Sequence, residues 1–506
     1  KPSGSSPNFY FFSRSVVIIL ADFLCKHNLN NMKGRLTQNQ IHYVFYHLNL
    51  FLDLNGEIKE RILFVNNSSD LQNIKSRGKI IFMLSENSLD HSKAIAIDNI
   101  LYLFSNSKIK EHYRIENDNL IFNHDILKSA FYLLSGYQEQ FPKQKDMHDR
   151  FRFAESVQYK LGFVDKPLVN YYFQIIIEGL KEFGKLNKIF ITEKNYFKTF
   201  GFILSHDIDR VDYYSIHQIK YFIKGLLGLS QTGYSKKQLF FLLPHNIVGC
   251  IFPFLKKDRY WSFEWLRKTE TKLGIKSTFY FLLKGIKHHD AYYDVNEKRI
   301  RKIINYLENE GCEIGVHGTV GSYKDAGELK YCIKRLNKVT SEKIKGIRQH
   351  RLKFNHPETF KIQQNEGLIY DSTLGFAEHE GFRNSFCFPF KPYDFEKDRM
   401  IDIWEIPLMV MDVTLFNYRN LSFAEAQIKI ENLIGEVNKF SGIFTLLWHN
   451  GYFDEIKFPG ITDFYTGLLK RIMKKNPKAD TGIGTINQII NKNSTNAYET
   501  ESYKSE

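Results

Sequence analysis

The chain has 506 residues, 43% hydrophobic and 15% aromatic, with 70 Lys and Arg against 56 Asp and Glu for a formal net charge of +14. These values exclude a disordered chain, and the length exceeds one small core, so two or more domains are expected. The positive balance favours an anionic lipid or glycan partner; the lysines are spread out, with no basic arm and no nucleic-acid motif, which argues against nucleic acid.

The first apolar run, SVVIILADFLC (15–25), carries an Asp and falls short of the about 20 residues a bilayer span needs. No small-residue cleavage site follows it, so no signal peptide is expected. Cys25, Cys250, Cys312, Cys332 and Cys387 form no CxxC pair. That spacing speaks against a zinc ribbon or a disulfide framework and fits a reducing compartment. Residues 1–195 are expected to form a separate α/β or α+β domain of open role. Strand-like pieces (KIIFMLS, ILYLFS, NLIFNHDI) alternate there with a helical one, DILKSAFYLLSGYQEQF, and no catalytic constellation is visible. KPLVNYYFQIIIEGLKEFG (166–184) has helical apolar spacing and leads into the next domain.

From residue 200 a regular rhythm begins. FILSHDID (202–209), KSTFYFLL (276–283), CEIGVHG (312–318), IKGIRQH (344–350), LIYDSTLG (368–375), IDIWEIPLMVMD (401–412) and GIFTLLWHN (442–450) read as strands. Helical stretches such as 262–274 and 297–311 lie between them. Strand–helix alternation predicts a parallel sheet, and seven repeats predict a barrel over 196–490 whose chemistry lies at the strand C-terminal ends. Within the first repeat stands LFFLLPHNIVGCIFPFL (239–255), whose Pro244 and Pro253 argue against a spanning helix. It reads as a packed insert, with a membrane-surface contact or a lid over the cleft as the alternatives. Residues 491–506 are polar and non-periodic and read as a disordered tail.

Six of the seven strands end in titratable or charged groups: Asp207 and Asp209, His317, Arg348 and His350, Asp371, Asp412, and His449. Taken singly, each has a plain reading. Asp207 and Asp209 suit helix caps, and a lone His or Arg is more often structural. Glu405 has an even chance of facing the cleft, because strand residues alternate. HHD (288–290) reads as a solvated loop. Together, carboxylates, imidazoles and a guanidinium on one rim suit hydrolysis assisted by a divalent cation.

The motifs SHDID, EIGVHG, GIRQH, YDSTL and LLWHN, in this order, with STFYFL as second strand, resemble those of polysaccharide deacetylases with a NodB-homology domain, carbohydrate esterase family 4. The resemblance spans about 200–490. It implies a distorted (β/α)7 barrel and metal-dependent hydrolysis of N-acetyl groups on a sugar. By the resemblance Asp207 is the general base, Asp209 and His317 hold the metal, and Arg348 orients Asp207. Asp371 helps to position the rim, and His449 is the general acid. A backbone N–H near the fourth strand end joins the metal in stabilising charge on the acetyl oxygen. The metal implied is divalent, zinc by preference, and the partner is an N-acetylated carbohydrate.

One position departs from the pattern. The family's second motif carries another His four residues after the first, and here Gly321 stands there. Ser322 or His350 is the candidate replacement; otherwise two ligands remain, and the barrel is a weak or inactive carbohydrate-binding or assembly protein. A cyclic-amide hydrolase is a third reading on the same fold. The expected location is cytoplasmic, with peripheral membrane association through 239–255.

Overall fold

The computed structural model describes residues 32, 34–105, 108–142, 144–252, 258–288 and 290–502. The apolar run at 15–25, Cys25 and His289 lie outside the described residues.

The first part of the chain builds a small sheet of β1 (Ile62–Val65), β2 (Ile80–Met83), β3 (Tyr113–Glu116) and β4 (Asn119–Phe122). Its order is β1-β2-β4-β3, with β1, β2 and β4 parallel and β3 antiparallel to β4. The β3–β4 turn takes Asn117 and Asp118 at φ 50° and 64°. Both residue types tolerate that left-handed backbone, and two such residues give a turn whose twist matches the strands. The longer helices of this part are α1 (Gln38–Leu48), α2 (Ile126–Leu134) and α3 (Leu168–Asn187). α1 begins at a capping box: the Thr37 hydroxyl accepts from Gln40 N while the Gln40 side chain accepts from Thr37 N. α2 is buried on all sides, and Asp125 caps it by accepting from Lys128 N at 2.8 Å.

The second part is an α/β barrel. Its strands are β5 (Gly201–Ile208), β6 (Ser277–Leu282), β7 (Glu313–Gly318), β8 (Gly346–Gln349), β9 (Tyr370–Asp371), β10 (Trp404–Glu405), β11 (Val410–Met411) and β12 (Ile443–Leu447). They run in the order β10-β9-β8-β7-β6-β5-β12-β11, all in parallel pairings. All eight residues of β5 are buried. Its first half, GFIL, is apolar on both faces, as a central parallel strand covered on both sides requires, whereas Ser205, His206 and Asp207 are polar residues buried in its second half. The helices following β5 are α4 (Ile216–Leu226), α5 (Lys236–Ile251) and α6 (Phe263–Thr271); the later ones are α7 (Lys298–Asn309), α8 (Ala326–Leu336), α9 (Glu358–Asn365), α10 (Phe423–Lys439), α11 (Ile461–Lys474) and α12 (Gly482–Ser502).

The segment 401–412 corrects the expectation of seven plain strands. It supplies two short ones, β10 and β11, which lie at opposite edges of the sheet. Pro407 stands between them and has no N–H for a ladder. The barrel is therefore distorted by an open seam, which this single stretch of chain crosses. α12 also differs from expectation: the backbone is helical over 491–502, where the sequence reads as a structureless tail.

The two parts are not separated by a solvent gap. One continuous hydrophobic core contains residues of both. Tyr43 packs edge-on to Tyr393 at 5.0 Å between centroids, and Phe51 meets Phe388 at 5.1 Å. Arg383 forks onto Glu139 with bonds of 2.8 and 2.6 Å, both side chains about 4% exposed. A bidentate pair at that burial fixes orientation as well as proximity.

Candidate metal centre and acid–base site at the barrel mouth

The alternation of β5 sorts the SHDID stretch. His206 points away from the barrel axis, with Nδ1 at 2.7 Å from Trp448 O and Nε2 at 2.9 Å from Glu270 Oε1. Ser205 and Asp207 take the opposite face, two residues apart. Arg348, on β8, reaches both: Nη1 donates to Ser205 Oγ at 2.8 Å and to Asp207 Oδ1 at 3.0 Å. Its Nε and Nη2 donate to Ser372 O and Oγ at 2.7 and 2.9 Å, and its guanidinium lies over the Tyr280 ring at 4.6 Å. Arg348 is 1% exposed and Asp207 2%. A buried charge pair with every guanidinium edge occupied holds the Asp207 carboxyl in one orientation.

Asp209, just past the end of β5, meets His317 of β7 and His350, which follows β8. One ligand atom from each lies within 4.8 Å of the others. His317 Nδ1 sits 2.8 Å from Arg348 O. A carbonyl only accepts, so Nδ1 carries the hydrogen and the neutral ring turns the Nε2 lone pair inward. That atom is 3.3 Å from Asp209 Oδ1 and 3.5 Å from Asp207 Oδ2. Asp209 Oδ1 is sealed from solvent and accepts no hydrogen bond. An oxygen desolvated in this way calls for a cation. Burial opposes protonation of His317, yet the Asp207 and Asp209 carboxylates outweigh it and raise its pKa. Burial likewise opposes ionisation of Asp209, and the imidazoles of His350, His317 and His449 outweigh it, holding its carboxyl well below the usual range. One carboxylate and two imidazoles fit zinc or another borderline divalent ion in ligand type and number.

His449 closes the opposite side. Its Nδ1 donates to Asp412 Oδ1 at 2.7 Å, and its own N–H donates to Asp412 Oδ2 at 2.6 Å. Nε2 faces the mouth, 4.0 Å from Asp209 Oδ2. Burial lowers its pKa, but Asp412, Asp209 and Asp207 reverse this and raise it to about 10. Asp207, Asp209, His317, His350 and His449 all line one cleft of about 400 Å³. A larger hollow of about 920 Å³ lies in the first part, lined by His91, Tyr132, Glu155 and Lys160 among others, away from these groups.

Asp371 does not enter the cleft, and its placement among the rim acids is corrected. It is fully buried in β9, accepting from Thr373 N at 2.6 Å, Thr373 Oγ1 at 2.8 Å and Gln363 Nε2 at 2.6 Å. Burial raises its pKa, and burial with the neighbouring Asp371 pushes Glu405 well above the usual range. This pair ties the β9 and β10 ends together beneath the mouth. Ser322 is also spent elsewhere, donating to Gln349 Oε1 at 2.7 Å. A Cβ at Gly321 would meet the His288 ring, so a larger residue there requires that side chain to move.

Four residues take parts in the site that the sequence reading did not assign to them. Asp290, read there as part of a solvated loop, sits 3.5 Å from His350 Nδ1 and accepts Val320 N at 2.6 Å. Asp412, a strand-end acid in the sequence, is the partner of His449, which no local pattern shows. His148 and Arg150 reach the cleft from the first part of the chain, in which no site residue was expected.

The family model that matches covers residues 32–185 and describes a family of unknown function, DUF7033. No curated protein matches the chain. Among solved structures, the chain is similar to a presumed polysaccharide deacetylase from Mycobacterium smegmatis, at 14% identity and a TM-score of 0.38 over 59% of this chain and 92% of that one. It is also similar to a CE4 family pseudoenzyme from Bacillus anthracis, at 8% identity and a TM-score of 0.30 over 57% and 66%. A chitin deacetylase from the fungal pathogen Colletotrichum lindemuthianum aligns at 9% identity and a TM-score of 0.30, over 56% of this chain and 85% of that one.

Proposed function

We propose that the barrel is a metal-dependent hydrolase that removes N-acetyl groups from a glycan or glycan precursor. The observation that carries the reading is the close approach of ligand atoms from Asp209, His317 and His350, flanked by Asp207 on Arg348 and by His449 on Asp412. A divalent ion held by the three supplies Lewis acidity for an amide carbonyl and makes water more acidic.

The chain's own groups account for the proton movements. Asp207, oriented through Oδ1 by Arg348, takes the proton of the attacking water. As the carbon–nitrogen bond breaks, His449 Nε2 delivers its proton to the leaving nitrogen, giving acetate and a free amine. Asp412 keeps the His449 ring in the tautomer and orientation that this requires. His350 takes the ligand place that Gly321 leaves vacant in the family pattern.

Acetate release from N-acetylglucosamine oligomers by the zinc-loaded chain tests this reading. Asp207→Asn is expected to lower the rate by about a hundredfold or more while leaving zinc bound. Gly321 favours the second reading, a barrel that binds glycan without turnover. Glycan affinity unchanged by metal removal, with no acetate released, would decide for it.

A further inference from the structure

We propose that α4 and α5, the helical hairpin inserted directly after β5, dock on the surface of an anionic lipid bilayer. The hairpin has two apolar sides. Its inner side has a core of its own: Leu239 and Leu242 of α5 pack with Phe222 of α4 and Tyr213. Asn246 donates to Tyr213 O at 3.0 Å, and Gly249 lets α5 approach the Tyr214 ring. Stability is satisfied on that side alone.

The outer side of α5 is apolar as well. Phe240 (70% exposed), Phe241 (57%), Ile247, Val248, Ile251 (61%) and Phe252 follow one another at helical spacing. Leu227 and Leu229, in the connection from α4, are exposed by 67% and 72%. A helix apolar on both faces and covered on only one has an unfilled partner. Lysines border the face: Lys220 and Lys224 in α4, Lys236 and Lys237 at the start of α5. Between Asp212 and Asp258 there is no acidic residue. An apolar stripe rimmed only by positive charge complements an anionic bilayer surface, where burial and attraction act together. Pro244 sits within α5 without ending it, and the carbonyl it leaves unpaired, that of Phe240, belongs to the exposed turn. Among the described residues no helix is long and apolar enough to cross a membrane, so the hairpin lies on the surface.

The hairpin also adjoins the cleft. The His217 ring of α4 packs at a tilt of 44° against Tyr292, 4.1 Å between centroids, and Arg210 lies over the same ring at 4.9 Å; Tyr292 and Arg210 both line the cleft. A bilayer under the hairpin is therefore beside the barrel mouth.

Co-sedimentation of the full chain with vesicles of phosphatidylcholine, with and without phosphatidylglycerol, tests the proposal. Wild type is expected to pellet with the anionic vesicles and to be released by salt. The double variant Phe240→Asp, Phe241→Asp should lose about tenfold or more in partitioning. Lys236→Gln with Lys237→Gln should lose about tenfold on anionic vesicles only. All four side chains are exposed, so thermal unfolding is expected to be unchanged in both variants. Wild type remaining in the supernatant with anionic vesicles overturns the proposal, as does undiminished pelleting of the Phe variant. Lipid-free dimerisation in sedimentation velocity that the Phe variant abolishes also overturns it, assigning the face to a second copy of the chain.

Discussion

Arg150 Nη1 donates to the carbonyl oxygen of Arg351 at 2.9 Å, across 201 positions of sequence. The bond joins the first part of the chain to the turn that carries His350. Arg351 and Leu352 hold φ of 61° and 52°, a left-handed backbone that costs a non-glycine residue about 1 kcal/mol or more each. Arg150 is itself fixed by Asp146 at 2.6 Å and by the Tyr418 hydroxyl at 3.0 Å. The first domain thus has a place in the candidate site: it holds the turn that presents His350.

Arg150→Met is expected to relax that turn and lower zinc affinity by about tenfold, the scale at which groups supporting a ligand act. Calorimetric titration checks it, with Arg152→Met, a more exposed neighbour, as the control. Equal affinities in wild type and Arg150→Met would show that the turn stands without the clamp.

Asp412→Asn is expected to leave zinc binding intact and to lower kcat by about 10²–10⁴-fold, because an amide no longer selects the Nδ1–H form of His449. Steady-state acetate release beside a zinc titration of the same variant separates the two effects. A variant that keeps its full rate excludes His449 as the proton donor.

His47 supplies a pH dependence away from the mouth. Its Nδ1 donates to Tyr43 O at 2.8 Å, and its Nε2 accepts Lys391 N at 2.9 Å, so the buried ring uses both nitrogens in the neutral form. Burial, against the Tyr43 carbonyl and with help from Lys391, lowers its pKa from 6.5 to about 3. The unfolded chain therefore binds one more proton between these values. This contribution to stability is full above pH 6.5 and is lost as pH falls towards 3, by about 1.4 kcal/mol per pH unit. Urea unfolding from pH 7 to pH 4 checks the slope, and His47→Gln should be shallower by up to one proton. A slope that is the same in His47→Gln assigns the acid sensitivity to other groups.

The sequence made the barrel legible because its strands are buried on both faces and end in polar residues. It also picked out Asp207, Asp209, His317, His350 and His449, which stand at those ends. What it could not show depends on neighbours distant in sequence. Asp412 meets His449 because β11 lies in register with β12, with Met411 opposite Leu447, and no local pattern encodes that pairing. Asp290 looked solvated in HHD and is instead folded over the rim to face His350. Arg150 lies in a stretch without periodicity, and only tertiary contact reveals what it holds. The segment 401–412 reads as one strand, although Pro407 bars a single unbroken ladder there.

Equilibrium dialysis of the full chain against zinc tests the cation site at the mouth most directly. Uptake of a single ion is expected, with affinity falling by at least about a hundredfold in Asp209→Ala, His317→Ala and His350→Ala alike. Uptake by wild type no greater than that of the Asp209→Ala, His317→Ala double variant would contradict the site and, with it, the hydrolase.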